Sequence, residues 1–361
     1  MTGKIKLVEI SGSPYEMGYT HGKRYPDEIR HFAEDRVALS SGDAWTGRSL
    51  SRDEVLALGE ACLAEHQTYS PDLYAELQGM SDATGVSLRE LVIVSGFTDF
   101  IDVVYNATVQ EPKVDQQPYD NCTAFIVPDQ QALGEQGFFG QTWDMHDTAT
   151  PYVILLRCKP DNGPASLVFT TIGCVGMIGM NEAGIAIGIN NLLGADGQVG
   201  VTWPFVIRKA LMQTDIEAAL ACITETKLAG AHNYLLFDKA GRGYNIEAMS
   251  TYHHVTSLNG EAIAHTNHCL MPEAIARSRP RVAKSQAHSE ARLHQACQLL
   301  GRSKVTPEDL MALTQASEIC TISKPPMHVE TCGAAIMRPK TGDFWAVWGL
   351  PTENNYEHFV I

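Results

Sequence analysis

Asp120-Asn121-Cys122-Thr123-Ala124-Phe125-Ile126-Val127 marks the point where this chain changes character. A polar, turn-forming pair gives way at Cys122 to a run rich in β-branched and aromatic residues, the composition of a buried strand. A second run of the same kind follows, Phe138-Phe139-Gly140-Gln141-Thr142-Trp143-Asp144-Met145-His146. Paired as neighbours, the two would set a thiol at the first position of one strand and a carboxylate at the matching place on the other.

Upstream, residues 1–121 read as mainly helical after one opening strand over 4–10. Ser51-Arg52-Asp53-Glu54 and Ser87-Leu88-Arg89-Glu90 are capping boxes, in which hydroxyl and acid satisfy each other's backbone N–H. Residues 14–35 and 71–84 also predict helices. The stretch 106–121 carries Asn106, Pro112, Asp115, Pro118, Asp120 and Asn121 and suits an exposed loop or linker.

Downstream, runs at 123–127, 137–143, 152–158, 166–171, 176–180 and 184–189 alternate with turn signals such as Pro160-Asp161-Asn162-Gly163 and Asn181-Glu182-Ala183-Gly184. Helices are expected over 203–212 and from the cap Thr214-Asp215-Ile216-Glu217 to about 226. Strands at 233–238, 243–248 and 261–266, helices at 285–300 and 307–316, and a hairpin of 334–337 with 344–348 follow. Thr306 is placed as N-cap with Pro307 at the first helical position. Many antiparallel hairpins with paired helices make an α+β protein whose helices cover sheet faces. Neither a GxxxxGK[ST] loop nor a strand-linked GxGxxG occurs, which argues against a nucleotide enzyme.

The 361 residues suffice for a sizeable core, and 44% hydrophobic with 19% charged residues is the composition of a folded protein. A net charge of −15 argues against nucleic acid and anionic membrane surfaces as partners, since both need clustered Lys and Arg. The apolar stretch 91–104 is broken by Asp99 and Asp102 and is too short to span a bilayer. The opening residues lack the apolar run of a signal peptide, and nine cysteines without a CxxC pair suit reduced thiols, so a cytoplasmic location is expected.

Cys122 differs from the other cysteines in following a polar loop and opening a strand, whereas they sit in apolar segments. A reactive thiol needs a base or cation to form the thiolate, and no neighbour in sequence supplies one. An α-amino group, with a pKa of about 7.7–8.0, would do so if the bond before Cys122 were cut. The cut has a physical route: the thiol attacks the Asn121 carbonyl and the thioester hydrolyses. Asp144 would then hold and orient the new amine, as the third member of a triad does, although an Asp at a strand end is more often a turn residue. Asn190 and Asn267 sit at strand ends, where amides mostly bond to backbone but can donate to an oxyanion. His253, His254, His265 and His268 match no closed zinc spacing, so neither metal nor cofactor is expected.

The chain resembles the acyl-coenzyme A:6-aminopenicillanic acid acyltransferase family, also called the C45 autoproteolytic peptidases. The segments that carry the resemblance are Ile10-Ser11-Gly12-Ser13-Pro14-Tyr15-Glu16-Met17-Gly18 with Gly22, Asn121-Cys122-Thr123, Gly140-Gln141-Thr142-Trp143-Asp144, Gly179-Met180-Asn181-Glu182-Ala183-Gly184-Ile185 followed by Asn190, His265-Thr266-Asn267-His268, and Gly349-Leu350-Pro351. The resemblance implies a four-layer αββα sandwich of the N-terminal-nucleophile hydrolases, with a mainly helical N-terminal segment packed on it. It implies self-cleavage at Asn121-Cys122 into chains 1–121 and 122–361 that stay together. It implies Cys122 as nucleophile on amide or thioester carbonyls, Asp144 steadying the amine, and Asn267 and Asn190 at the oxyanion. Arg292, in Ser289-Glu290-Ala291-Arg292, resembles a pocket residue of relatives, and His265 and Trp143 are further candidates for contact with substrate. The best-known member has Gly where Asn121 stands.

The expected activity is hydrolysis of a linear amide, or acyl transfer, through a Cys122 acyl-enzyme. Its partners are a small-molecule amide or acyl substrate and the two cut chains for each other, with association into a homo-oligomer left open. Three rivals stand beside this: an uncut hydrolase with His146 or His265 as base to the thiol, a catalytically inactive binding protein of the same fold, and a His-rich metal protein.

Overall fold

The computed structural model describes residues 3–107 and 121–361; the linker expected at 106–121 lies from 108 to 120 outside the described residues. The first part holds strand β1 (Lys6–Gly12) and seven helices: α1 (Pro14–Arg24), α2 (Pro26–Ser41), α3 (Asp43–Thr46), α4 (Arg52–Tyr69), α5 (Pro71–Thr84), α6 (Leu88–Ser95) and α7 (Phe97–Ala107). Both expected capping boxes form, Ser51 with Glu54 and Ser87 with Glu90. Ser13 and Glu16 add a third ahead of α1. The single helix expected over 14–35 is two, because Pro26 lacks an N–H and drives Tyr25 to φ −138°. The apolar stretch 91–104 is likewise split, at Gly96, into α6 and α7.

The second part runs β2 (Thr123–Val127), β3 (Phe138–His146), β4 (Val153–Pro160), β5 (Ser166–Thr171), β6 (Ile178–Asn181), β7 (Ile185–Asn191), α8 (Trp203–Ala210), α9 (Ile216–Thr224), β8 (His232–Asp238), β9 (Gly243–Ala248), β10 (His253–Ser257) and β11 (Ile263–His265). It ends with α10 (Pro272–Arg277), α11 (Ala283–Leu300), α12 (Pro307–Thr314), β12 (Val329–Arg338), β13 (Asp343–Trp348) and β14 (Glu357–Val360). β10, α10 and β14 had no counterpart in the sequence reading.

Two sheets form, in the orders β1-β4-β5-β6-β7-β8-β9-β10 and β11-β2-β3-β12-β13-β14. They face each other, β2 and β3 meeting β7 and β2 meeting β8. Helices α8 and α9 cover the first sheet, and α11 and α12 the second, which gives the αββα order. One side chain clamps the layers: Gln141 on β3 accepts from the Ile189 N–H at 2.9 Å and donates to the Ile189 carbonyl on β7. Gly188 makes room, because a Cβ there would lie 2.3 Å from Gln141 Oε1. β1 joins β4 in parallel, so the first hundred residues contribute an edge strand as well as helices. Among the described residues, no helix is long and apolar enough to cross a membrane.

Candidate active site

β2 and β3 pair antiparallel with Thr123 opposite Thr142 and Ala124 opposite Gln141. The segment Gly140–Asp144 then has a task at each position. Gly140 admits the Phe125 ring, which a Cβ would approach to 2.3 Å. Gln141 ties the sheets together, and Thr142 Oγ1 accepts from the Thr123 N–H at 3.0 Å. Trp143 lines a small interior cavity with Arg36, Phe97 and Met177. Asp144 meets Cys122: its backbone N–H donates to Sγ at 3.3 Å, and Sγ lies 3.7 Å from its carbonyl oxygen. Opposite Asp144, the β3–β12 ladder bulges between Thr331 and Gly333, as strands often do where a side chain must be re-aimed.

The thiol is covered, with Cys122 only 4% exposed in the continuous chain. The Asp144 carboxyl is also buried, and neither oxygen has a hydrogen-bond partner among the described residues. Burial pushes its pKa up to about 7; Arg292 and the nearby hydroxyls of Thr331, Thr321 and Thr142 oppose this without closing hydrogen bonds.

From the helix layer, Arg292 on α11 reaches the strand start, although it is fully buried. Its Nη1 donates to the carbonyls of Asn121 and Cys122, both at 2.6 Å, and to Thr123 Oγ1 at 3.1 Å. Its Nη2 donates to Asn267 Oδ1 at 2.9 Å. Asn267 is held on its other sides, its N–H by Ser289 Oγ at 3.0 Å and its carbonyl by Arg281. Its Nδ2 donates to the Asn191 carbonyl at 3.0 Å, next to Asn190. The Asn190 amide is completely buried with no partner on either atom among the described residues, a state that native amides seldom hold without a reason.

Cys122, Asp144, Asn267 and Arg292 thus come together around the 121–122 peptide, with Asn190 one residue from the Asn267 contact. His265 does not join them: its Nε2 meets Glu247 at 3.0 Å and its Nδ1 the Thr266 carbonyl at 2.7 Å. His146 bonds to Thr148 Oγ1 at 2.9 Å. Neither histidine is bonded to the thiol. Two clefts flank the constellation. One of about 340 Å³ is lined by Asn121, Lys284, His288, Cys320 and Met327 among others. The other, of about 430 Å³, is lined by Asn267, His268 and Arg281. Among the described residues, no group of three or more His, Cys, Asp or Glu is placed to hold a metal.

Sequence reasoning missed His288, and it named Ser289 only as the start of the motif that carries Arg292, without a role. His288 Nδ1 lies 3.1 Å from Asn121 Oδ1, and Ser289 Oγ binds both the Asn267 N–H and His268 Nδ1. Their spacing from Arg292, four and three residues, puts all three along one side of a helix and was the available signal.

A family model described as acyl-coenzyme A:6-aminopenicillanic acid acyl-transferase matches residues 132–351. Over 267 residues the chain is 26% identical to the acyl-coenzyme A:6-aminopenicillanic-acid-acyltransferase 40 kDa form of Emericella nidulans, covering 73% of this chain and 69% of that protein. It is 25% identical over 214 residues to an uncharacterized protein of Archaeoglobus fulgidus, covering 55% and 34%. Similar solved structures include a mutant conjugated bile acid hydrolase from Clostridium perfringens (TM-score 0.46, 11% identity, 66% of this chain and 97% of that one). A penicillin V acylase from Agrobacterium tumefaciens is another (TM-score 0.36, 12% identity, 67% and 78%). Because the family model takes in well over half of the sequence, from just beyond β2 to the segment after β13, this chain belongs to the acyl-coenzyme A:6-aminopenicillanic acid acyl-transferase family.

Proposed function

We propose that this protein is a cysteine N-terminal-nucleophile amidohydrolase, or acyltransferase, that cuts itself between Asn121 and Cys122. It then acts on a linear amide or thioester through a Cys122 acyl-enzyme. The observation that carries this reading is the grip of Arg292 on the Asn121 carbonyl at 2.6 Å. When Cys122 Sγ adds to that carbonyl carbon, negative charge develops on the oxygen the guanidinium already touches. A donor placed where an oxyanion forms is worth about 2.7–4 kcal/mol.

After the cut, the new amine of Cys122 is the base for its own thiol. Asp144 then has a cation to hold, and that charge draws its carboxyl back to the ionised form. Asn267 and Asn190 supply amide donors to the substrate oxyanion. Resolution by water gives hydrolysis and resolution by an amine gives transfer; hydrolysis is the reading preferred here, since no phosphate-binding cluster for coenzyme A is evident in the sequence. The cleft beside Asn121, lined by Met327, Pro325 and Lys284 among others, suits a small-molecule substrate. No disulfide joins the nine cysteines among the described residues and seven of them are buried, which supports a reducing compartment such as the cytoplasm.

The test is denaturing intact-mass analysis of the fresh protein beside Cys122→Ala. The expected result is fragments 1–121 and 122–361 in the wild type and one chain in the variant. Full turnover by Cys122→Ala would sink the reading.

A further inference from the structure

Arg292 holds the backbone of residue 121, and its helix offers a second contact one turn earlier. His288 Nδ1 lies 3.1 Å from the Asn121 side-chain oxygen. Four residues apart on α11, the two side chains grip one residue from the same side of a helix. Asn121 is itself 4% exposed, so its amide has little water to turn to.

We infer that His288 is a positioning residue for self-cleavage, which recognises the Asn121 side chain and thereby fixes the carbonyl that Cys122 attacks. The inference rests on the self-cleavage reading above. Burial, with Arg292 and Lys284 nearby, lowers the His288 pKa to about 4, so the ring is neutral near pH 7. An amide oxygen only accepts, which puts the ring proton on Nδ1 as donor. With the side chain and the carbonyl of Asn121 both anchored, rotation of the 121–122 peptide is resisted from two sides.

The step so oriented balances without any added reagent. The sulfur bonds to the Asn121 carbonyl carbon, the bond from that carbon to the Cys122 nitrogen breaks, and the thiol proton ends on that nitrogen. Water then takes the acyl group from sulfur, leaving a carboxylic acid at Asn121 and restoring the thiol. His288 donates no proton in this scheme; it sets geometry. The same contact gives a physical use for Asn at a position where glycine would offer no side chain to hold.

The experiment follows the appearance of fragment 122–361 by denaturing mass spectrometry in the full chain, starting from newly synthesised protein. The variants are His288→Ala, Asn121→Ala, the double variant and His288→Asn, whose amide nitrogen can take the place of Nδ1. Each single alanine should slow cutting about fivefold, the worth of one hydrogen bond. The double should also be about fivefold slow, not about twenty-five-fold, because both changes remove one interaction. His288→Asn should cut near the wild-type rate. Wild-type cutting by His288→Ala, or a multiplicative double variant, overturns the inference while leaving self-cleavage intact. An uncut wild type overturns both. If His288→Ala does not fold, Asn121→Ala and Asn121→Leu must each slow cutting in chains that melt like the wild type, and wild-type rates there overturn it.

Discussion

A carboxyl held at a pKa of about 7 with neither oxygen bonded among the described residues is costly once it ionises, and in the continuous chain Asp144 is in that state. The sign follows from linkage. Between about pH 4 and 7 the folded state keeps a proton that the unfolded chain has lost, so stability falls as pH rises through that window. In the uncut Cys122→Ala background, Asp144→Asn should therefore raise stability at pH 8, by at most about 4 kcal/mol for a three-unit shift, and change little at pH 4. Urea midpoints at the two pH values check this; equal gains at both would mean that Asp144 is not the raised group. On the proposed reading, Asn267→Ala should lower kcat of the cut enzyme by about 10²–10³, as loss of an oxyanion donor would, measured per burst-titrated site. Labelling of Cys122 needs a Cys122→Ala control, because Cys320 lines the neighbouring cleft. That Cys122 and Asp144 meet was legible in the sequence because two adjacent strands carry them. The contacts of Arg292 and His288 with Asn121 were not, since they span 171 and 167 residues. Composition gives no register between α11 and a strand start so distant.

At the level of elements, the opening segment Ser13–Gly22 has a packing explanation. Ser13 and Glu16 box the start of α1, and Pro14 takes a first-turn position. On the face toward α5, a Cβ on Gly18 would fall 1.7 Å from the Glu76 carbonyl, and one on Gly79 would fall 2.1 Å from that of Tyr15. The obstacles are backbone and cannot swing away. Gly18→Ala should therefore cost about 1–3 kcal/mol by overpacking, seen as a lower melting temperature; an unchanged value would mean that the helices can part freely. Capping boxes and alternating strands read correctly because their signals are local. β10 and β14 escaped because His253–Ser257 and Glu357–Val360 are edge strands with exposed or half-exposed residues and no apolar run. The parallel pairing of β1 with β4 joins residues about 150 apart and leaves no trace in either strand alone.

Across the whole molecule, buried polar contacts fasten the first hundred residues to the rest. Asp102 on α7 accepts from the Gly194 and Ala231 N–H groups and from Arg279, and Asp99 accepts from the Trp203 N–H. Burial raises the Asp102 pKa to about 6, against the pull of Arg279 and those amides. Contacts so shielded are little screened by salt, so on the self-cleavage reading fragments 1–121 and 122–361 should co-elute in gel filtration at 1 M salt; separation would refute this. Asp102→Ala strands Arg279 and two amides and should cost about 3–5 kcal/mol in a urea titration. The ends of the described chain also meet: the Gly3 N–H donates to Asn354 Oδ1 and the Ile5 N–H to Glu357 Oε1, each at 2.8 Å. These two segments lie side by side, so a linker could join them and the chain could be opened elsewhere. A reordered gene could start at Met-Cys122, run to Ile361, pass a short linker into the former N-terminal part and stop at Asn121. Its cysteine would gain a free amine when the initiator methionine is removed, and on the self-cleavage reading the protein would be born mature, with nothing left to cut.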